Sequence, residues 1–304
     1  MVSKLKARDP AEVKPGKVRI VNFSASGAGK TWFALSFPRP YYLDTEGGAD
    51  LAHYQKRLAA SGGKYLGQDD GTLDFDFVIS QVEALATEKH EYRTLVIDSM
   101  TKLYQHRIAL DADRLGDRDA FGASKKPAIG MMRKLVMWLQ RLDMNVILNC
   151  HEVSEWGVVN GQRTEIGKMP DCWDKLIYEL DLTLQIKKLG KGSREAFVFK
   201  SRLTGFQEFD RFYLQKNGED CSYAEFSARY GKDALEAPTS VIVLATVEQV
   251  AEILRLLEIV KVTESETEKI LTKAKASSWS ELTVEQAAKT VAWLTGKVVK
   301  DGSA

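Results

Sequence analysis

The stretch VNFSASGAGKT, residues 21–31, decides the fold. An apolar run leads into it, Gly27 and Gly29 lie inside it, and Lys30-Thr31 close it ahead of a helix-favouring segment. This is the strand, loop, helix order of a phosphate-binding loop, G-x-x-x-x-G-K-[ST], with Ser24 in place of the first glycine. Loop N–H groups reach a phosphate only where no side chain blocks the approach, which Gly27 and Gly29 allow. Serine is small enough for the first position if its backbone angles permit. The expected nucleotide-binding residues are therefore Ser24, Ala25, Ser26, Gly27, Ala28, Gly29, Lys30, Thr31 and Trp32. Lys30 would neutralise the β/γ-phosphates and Thr31 would ligate Mg²⁺, so ATP and Mg²⁺ are the expected cofactors.

Working outward, KVRIVNF (17–23), PYYLDTE (40–46), YRTLVIDS (92–99) and NVILNCHE (145–152) read as strands. KTWFALSF, DFVISQVEALATE (76–88) and GMMRKLVMWLQRLDM (130–144) read as helices between them. Residues 181–190 and 194–203 form a hairpin over a GKGS turn. Alternation at these lengths predicts an α/β fold with a mostly parallel central sheet.

Asp98 ends an apolar strand and supplies the second expected Mg²⁺ contact, through water. Many ATPases carry the water-activating glutamate directly after this aspartate, but here that position is Ser99. Glu46, at the end of the strand that follows the loop, is the candidate base.

The chain has 304 residues, 44% hydrophobic and 28% charged, which places it among ordinary globular proteins. Lys+Arg 43 against Asp+Glu 42 confines any nucleic-acid surface to a local patch. Cys150, Cys172 and Cys221 form no C-x-x-C pair, which argues against a zinc site or disulfide framework and fits a reducing cytoplasm. No segment is apolar for long enough to span a membrane.

The chain divides into a basic flexible tail (1–16), an ATPase core (17–237) and a small C-terminal helical module (238–304). Three module segments begin with threonine and carry an acid soon after, an N-cap signature. Val250, Ile253, Leu254, Leu257, Val291 and Leu294 are expected to form the module's own core.

SASGAGKT, YLDTEGG, LVIDSMT, ILNCHE and FKSR, in that order, resemble the RecA-type recombination ATPases over roughly residues 17–215. They are most similar to compact phage-encoded members that act as single-strand annealing recombinases. The resemblance implies a RecA-like core and a DNA-stimulated ATPase that binds single-stranded DNA and assembles with itself into a filament or ring. It implies Glu46 as the water activator and His151 as the γ-phosphate sensor, with Asn149 behind it. Lys200 and Arg202 would reach a neighbouring subunit's γ-phosphate, and period-2 spacing places both on one strand face. Two segments would hold DNA: 110–127, with Arg118, Lys125 and Lys126, and 151–170, with Trp156, Arg163 and Lys168. Cations interleaved with an aromatic suit phosphate contact and base stacking. WGVVNGQRTEI reads equally as a hairpin over an Asn-Gly turn with no ligand. The module would dock a single-strand-binding or other replication protein, and the location would be the cytoplasm of a bacterial host. A helicase-like motor or signalling ATPase on the same core is the alternative.

Overall fold

In the computed structural model, which describes residues 16–119, 122–260 and 262–301, every residue of the run Thr94–Asp98 is buried. A strand apolar at successive positions needs cover on both faces, and it has that here in the middle of a ten-stranded sheet. The strands are β1 (Arg19–Ser24), β2 (Pro40–Asp44), β3 (Lys64–Leu66), β4 (Thr94–Asp98), β5 (Asn145–Val159), β6 (Gln162–Pro170), β7 (Leu182–Gly190), β8 (Ser193–Ser201), β9 (Arg211–Lys216) and β10 (Glu219–Asp220). Their order is β10-β9-β8-β7-β1-β5-β4-β2-β3, with β6 paired to β5. From β7 to β3 every pair is parallel, while β8, β9 and β10 add an antiparallel flank.

Alternate residues of each central strand enter two separate apolar cores, one on each face. Val21, Phe23, Leu95, Ile97, Val146 and Leu148 join the core made with helices Phe75–Thr87, Met100–Leu115 and Lys125–Arg141. Ile20, Val96 and Ile147 point the other way, toward Phe33, Phe37, Leu58 and Phe226. Trp138 is fully buried on the first face and Phe226 on the second.

Two elements exceed their expected bounds. The helix expected from 130 begins at Lys125, because Pro127 falls in its first turn, where a missing N–H costs nothing. β5, expected to end at 152, continues to Val159 because β6 supplies a partner beyond the sheet edge.

A third cluster contains Ile253, Leu256, Ala276, Leu282, Ala287 and Leu294, from helices Val247–Ile259 and Val284–Asp301 and the chain between them. Helix Glu264–Ala274 contributes Leu271 and Ala274 at its margin. Thr246 and Thr263 each close a capping box on the residue three positions later. Leu254, expected in this core, is instead 49% exposed, because it lies on the outward side of its helix. Arg141 Nη2 donates to the Glu281 carbonyl at 2.7 Å, which ties this cluster to the sheet's helical cover. The basic tail expected over 1–16 lies, except for Gly16, outside the described residues. Among the described residues no helix is long and apolar enough to cross a membrane.

Candidate nucleotide-binding site

The loop leaves β1 at Ser24 and enters a short helix at Lys30. Gly27 (φ 72°) and Gly29 (φ 110°) take left-handed angles that a side chain would strain. Ser24, by contrast, is a regular strand residue, so a glycine is not required there. Its hydroxyl accepts a hydrogen bond from Lys30 Nζ at 3.1 Å, and its carbonyl accepts another at 3.3 Å. The serine thus supplies a resting place for Lys30, the candidate phosphate-binding lysine, which is buried. Ala28 faces the second apolar core and serves the loop through its backbone.

Thr31 Oγ1 donates to Asp98 Oδ2 at 2.5 Å. Burial pushes the Asp98 carboxyl up, against the downward pull of the Thr31 hydrogen bond. A cation beside it would reverse that direction, and hydroxyl and carboxylate oxygens are the hard donors Mg²⁺ favours. Thr31 and Asp98 therefore fit a Mg²⁺ that arrives with nucleotide phosphates. Among the described residues no cluster of three or more His, Cys, Asp or Glu side chains offers a self-sufficient metal site.

Glu46 is brought in by the end of β2. Thr45 Oγ1 donates to the Ser99 carbonyl at 3.1 Å and accepts from the Ser99 N–H at 2.8 Å, which clamps the ends of β2 and β4 together. Asp44 accepts from the N–H groups of Glu46, Gly47 and Ala49, folding the chain back over the site. Glu46 Oε1 then accepts from Ser99 Oγ at 2.6 Å and from His151 Nε2 at 2.5 Å. Burial pushes the Glu46 carboxyl up, but Ser99, His151 and Lys30 outweigh it and hold it below its ordinary value. Ser99, where other ATPases have the base, here donates to the candidate base Glu46 and also caps helix Met100–Leu115. Asn149 lies beside Asp98 in register, buried, and accepts from Asn22 Nδ2 at 3.1 Å.

Lys200 and Arg202 are not part of this assembly. The Lys200 ammonium donates to the Leu180 carbonyl and Arg202 to the Tyr178 carbonyl, at the opposite end of β8 from the loop. Burial, and then Arg202, lower the Lys200 ammonium from its ordinary value. Arg202 pairs with Asp181, which pairs with Arg19, five strand steps or about 17 Å from Ser24. Both cations are engaged with carbonyl groups at the far end of β8, away from the loop of their own chain.

The two segments expected to hold DNA have different structures. In the first, Arg118 ends a short 3-10 turn, and Lys125 and Lys126 open helix Lys125–Arg141, all three exposed. The second is a two-stranded ribbon, as the hairpin reading of WGVVNGQRTEI has it. The outer half of β5 pairs with β6 over a turn at Asn160 and Gly161, both at positive φ. On it Trp156 is 52% exposed, with the Arg163 guanidinium 5.2 Å from its ring centre. Lys168 is already paired with Glu165 at 2.7 Å.

A cavity of ≈ 610 Å³ lies over the loop, lined by Gly29, Thr31, Trp32, Glu46, Asp98 and His151 among others. Its far wall holds residues that sequence reasoning missed: His53, Tyr54, Arg194 and Gln215. His53 and Tyr54 follow Glu46 on the helix Ala52–Ala60, where their spacing offered no phosphate signal. Arg194 and Gln215 come from β8 and β9 and meet only through strand pairing, which the linear pattern does not express.

No curated protein matches the chain. A family model described as an AAA domain matches residues 16–203, from the strand before the loop to the end of the β7–β8 hairpin. That span carries Lys30, Thr31, Glu46, Asp98 and His151, and it is more than half of the protein: the chain belongs to the AAA domain family and is a P-loop ATPase.

Proposed function

We propose that this protein is an ATP-dependent recombinase with a RecA-like core, which binds single-stranded DNA as a filament or ring and promotes annealing or strand exchange. One observation carries the reading. His151, which holds the candidate base Glu46, is also the residue at which β5 leaves the sheet for the exposed ribbon. A ligand on the ribbon is thus one residue-to-residue contact from the group that would activate water.

In this reading Lys30 leaves Ser24 for the β/γ-phosphates, and Thr31 and Asp98 hold Mg²⁺, which supplies charge neutralisation when bound. The Glu46 carboxylate takes a proton from water as that oxygen bonds to the γ-phosphorus and the bond to the β–γ bridging oxygen breaks. ADP and phosphate leave. Ser99 and His151 both bond to Oε1, which leaves Oε2 to receive that proton, and the resting site turns over slowly because a neighbour's cations are absent. The distance of Lys200 and Arg202 from their own loop supports an active site shared between copies. Annealing partners, a replication protein on the C-terminal module and a host cytoplasm complete the proposal.

The test is ATP hydrolysis with and without single-stranded DNA, alongside annealing of complementary oligonucleotides. Stimulation by single strands together with ATP-dependent annealing is expected. Hydrolysis indifferent to DNA would overturn the reading, and duplex unwinding without annealing would reassign the protein to the helicase-like motors.

A further inference from the structure

Arg194 is a cation in the nucleotide cavity with no other evident task. It opens β8 directly after the Gly190–Ser193 turn. In β8 it shares a face with Ala196 and Val198, which belong to the same core as the loop helix residues Phe33 and Ala34. Arg194 extends that face past the apolar patch to the loop itself. A register shift between Arg194 and Glu195 sets Arg194 against Gln215, the kind of irregularity that re-aims a side chain near a site.

The contacts are close. A methyl group at position 29 would lie 2.9 Å from Arg194 Cδ and 3.1 Å from Nε, so the glycine before Lys30 is also what lets this side chain approach the loop. Arg194 Nη1 donates to Gln215 Oε1, and Gln215 is fixed in turn by its own bond to the Gly218 carbonyl. Arg194 Nε, however, is buried with no hydrogen-bond partner. A guanidinium has five donors and no acceptor, and a buried one left unpaired is costly unless an anion arrives.

Position along the cavity selects which anion. Glu46 and His151 line both this cavity and a neighbouring one that opens toward Ser24, Lys102 and Glu152. Arg194 lines the first, and its strand β8 lies on the opposite side of β1 from β5 and β2, which bring in His151 and Glu46. It therefore stands away from the Glu46–His151 end, where the γ-phosphate and attacking water would be.

We infer that Arg194 is a same-chain nucleotide-binding residue that contacts the α/β-phosphates of a nucleoside di- or triphosphate from the side opposite Glu46, with Gln215 holding its guanidinium ready. The inference rests on the loop binding a nucleotide and does not depend on DNA. It also separates two kinds of cation: Arg194 serves the nucleotide of its own chain, and Lys200 and Arg202 are left for another copy.

Titration of dilute full-length protein with fluorescent ADP, and with a non-hydrolysable fluorescent ATP analogue, tests it in wild type, Arg194→Ala, Arg194→Gln and Lys30→Ala. The expected result is a loss of about tenfold or more in Arg194→Ala, equal for ADP and the ATP analogue, as one charge-assisted phosphate contact implies. Arg194→Gln retains bulk and a hydrogen-bonding group without the charge. It should show the same loss with an unchanged melting temperature in the absence of nucleotide, which also covers the case of an unfolded alanine variant. ADP affinity equal to wild type in both Arg194 variants, with Lys30→Ala impaired, would overturn this inference and leave the ATPase reading intact. A loss confined to the ATP analogue would overturn the α/β placement. Wild type that binds neither nucleotide would overturn both readings.

Discussion

Glu46 and His151 meet at 2.5 Å although 105 positions separate them, one just past the end of β2 and the other where the parallel part of β5 ends. Ser99, at the end of the strand between those two, donates to the same Glu46 oxygen. Three strands thus converge on one carboxylate, the base candidate that both the sequence and the fold supply.

Glu46→Gln should therefore lower the hydrolysis rate by about a hundredfold or more, the usual scale for losing a positioned base. Nucleotide affinity should stay near wild type, because Glu46 does not belong to the phosphate-binding loop. Single-turnover hydrolysis beside equilibrium binding separates the two effects. An equal fall in both would remove Glu46 from the role of base.

The pH dependence follows from the same contacts. The folded-state pKa of Glu46 lies below its ordinary value, so its contribution to stability is present above the unfolded value of about 4.3 and is lost as pH falls through the lower folded value. Hydrolysis should accordingly show no Glu46-dependent decline between neutral pH and about 5. His151→Ala removes one of the interactions that hold the carboxyl down, and it should move the acid limb of the rate profile upward. A profile identical to wild type would show that His151 does not tune the base.

Asp98 runs in the opposite direction. Its folded-state pKa is raised by burial, so the stability linked to its protonated form is full below the unfolded value of about 3.9 and is lost as pH rises through the folded value. Without metal, an ionised carboxyl at this buried position therefore costs stability. Asp98→Asn should melt no lower than wild type in the absence of nucleotide and Mg²⁺, and higher where Asp98 is ionised. It should also lose the extra stabilisation that Mg²⁺-ATP gives wild type. Thermal melts with and without Mg²⁺-ATP decide it, and a variant that retains the Mg²⁺-ATP shift would place the metal elsewhere.

Much of this site could be read from the chain. Gly27, Gly29, Lys30, Thr31, Asp98 and Glu46 lie within short contiguous motifs whose spacing is fixed by one strand, one turn and one helix. The parallel order was legible because buried strands declare themselves by unbroken apolar runs such as LVID. The ribbon beyond His151 is less legible, because alternating polar and apolar residues without a nearby core fit a loop as well as a two-stranded extension. Arg194 was missed for another reason. Its significance depends on which residue it faces across β9 and on the bare α-carbon of Gly29, and both are relations between distant segments. Leu254 was misplaced because a helix with apolar residues on more than one side does not announce which stripe is inward.

The shared-site reading predicts complementation. Lys200→Ala/Arg202→Ala and Lys30→Ala should each be inactive alone, since one lacks the cations offered to a neighbour and the other cannot hold the phosphates. Mixed together, they should recover part of the DNA-stimulated rate, because an intact loop of one copy can face intact cations of the other. Absence of recovery over a range of mixing ratios, with both variants folded, would mean that the cations serve their own chain structurally.

Trp156 offers the most direct reading of the ribbon. Its fluorescence should be quenched by single-stranded oligonucleotide, and Trp156→Ala should weaken binding by about five- to 150-fold, the range for one stacked base. Arg163→Ala should flatten the dependence of log affinity on log salt by about 0.7, one phosphate contact on a single strand. Unchanged affinity and slope in both variants would show that the ribbon does not carry the DNA.

The uninterrupted course of β5 has a mechanical consequence. From His151 to Val159 the chain is one strand, about 26 Å long, laced to β6 along its length and rooted by six buried residues in the middle of the sheet. Its one irregularity, between Glu155 and Trp156, lies outward of His151. Nothing between that point and the sheet can act as a hinge. A load at the tip is therefore borne as torque at the root, and His151 occupies the fulcrum. A flexible loop would dissipate the same load as disorder. Here a sideways deflection that passes the irregularity at Glu155 and Trp156 turns the residue that holds Glu46.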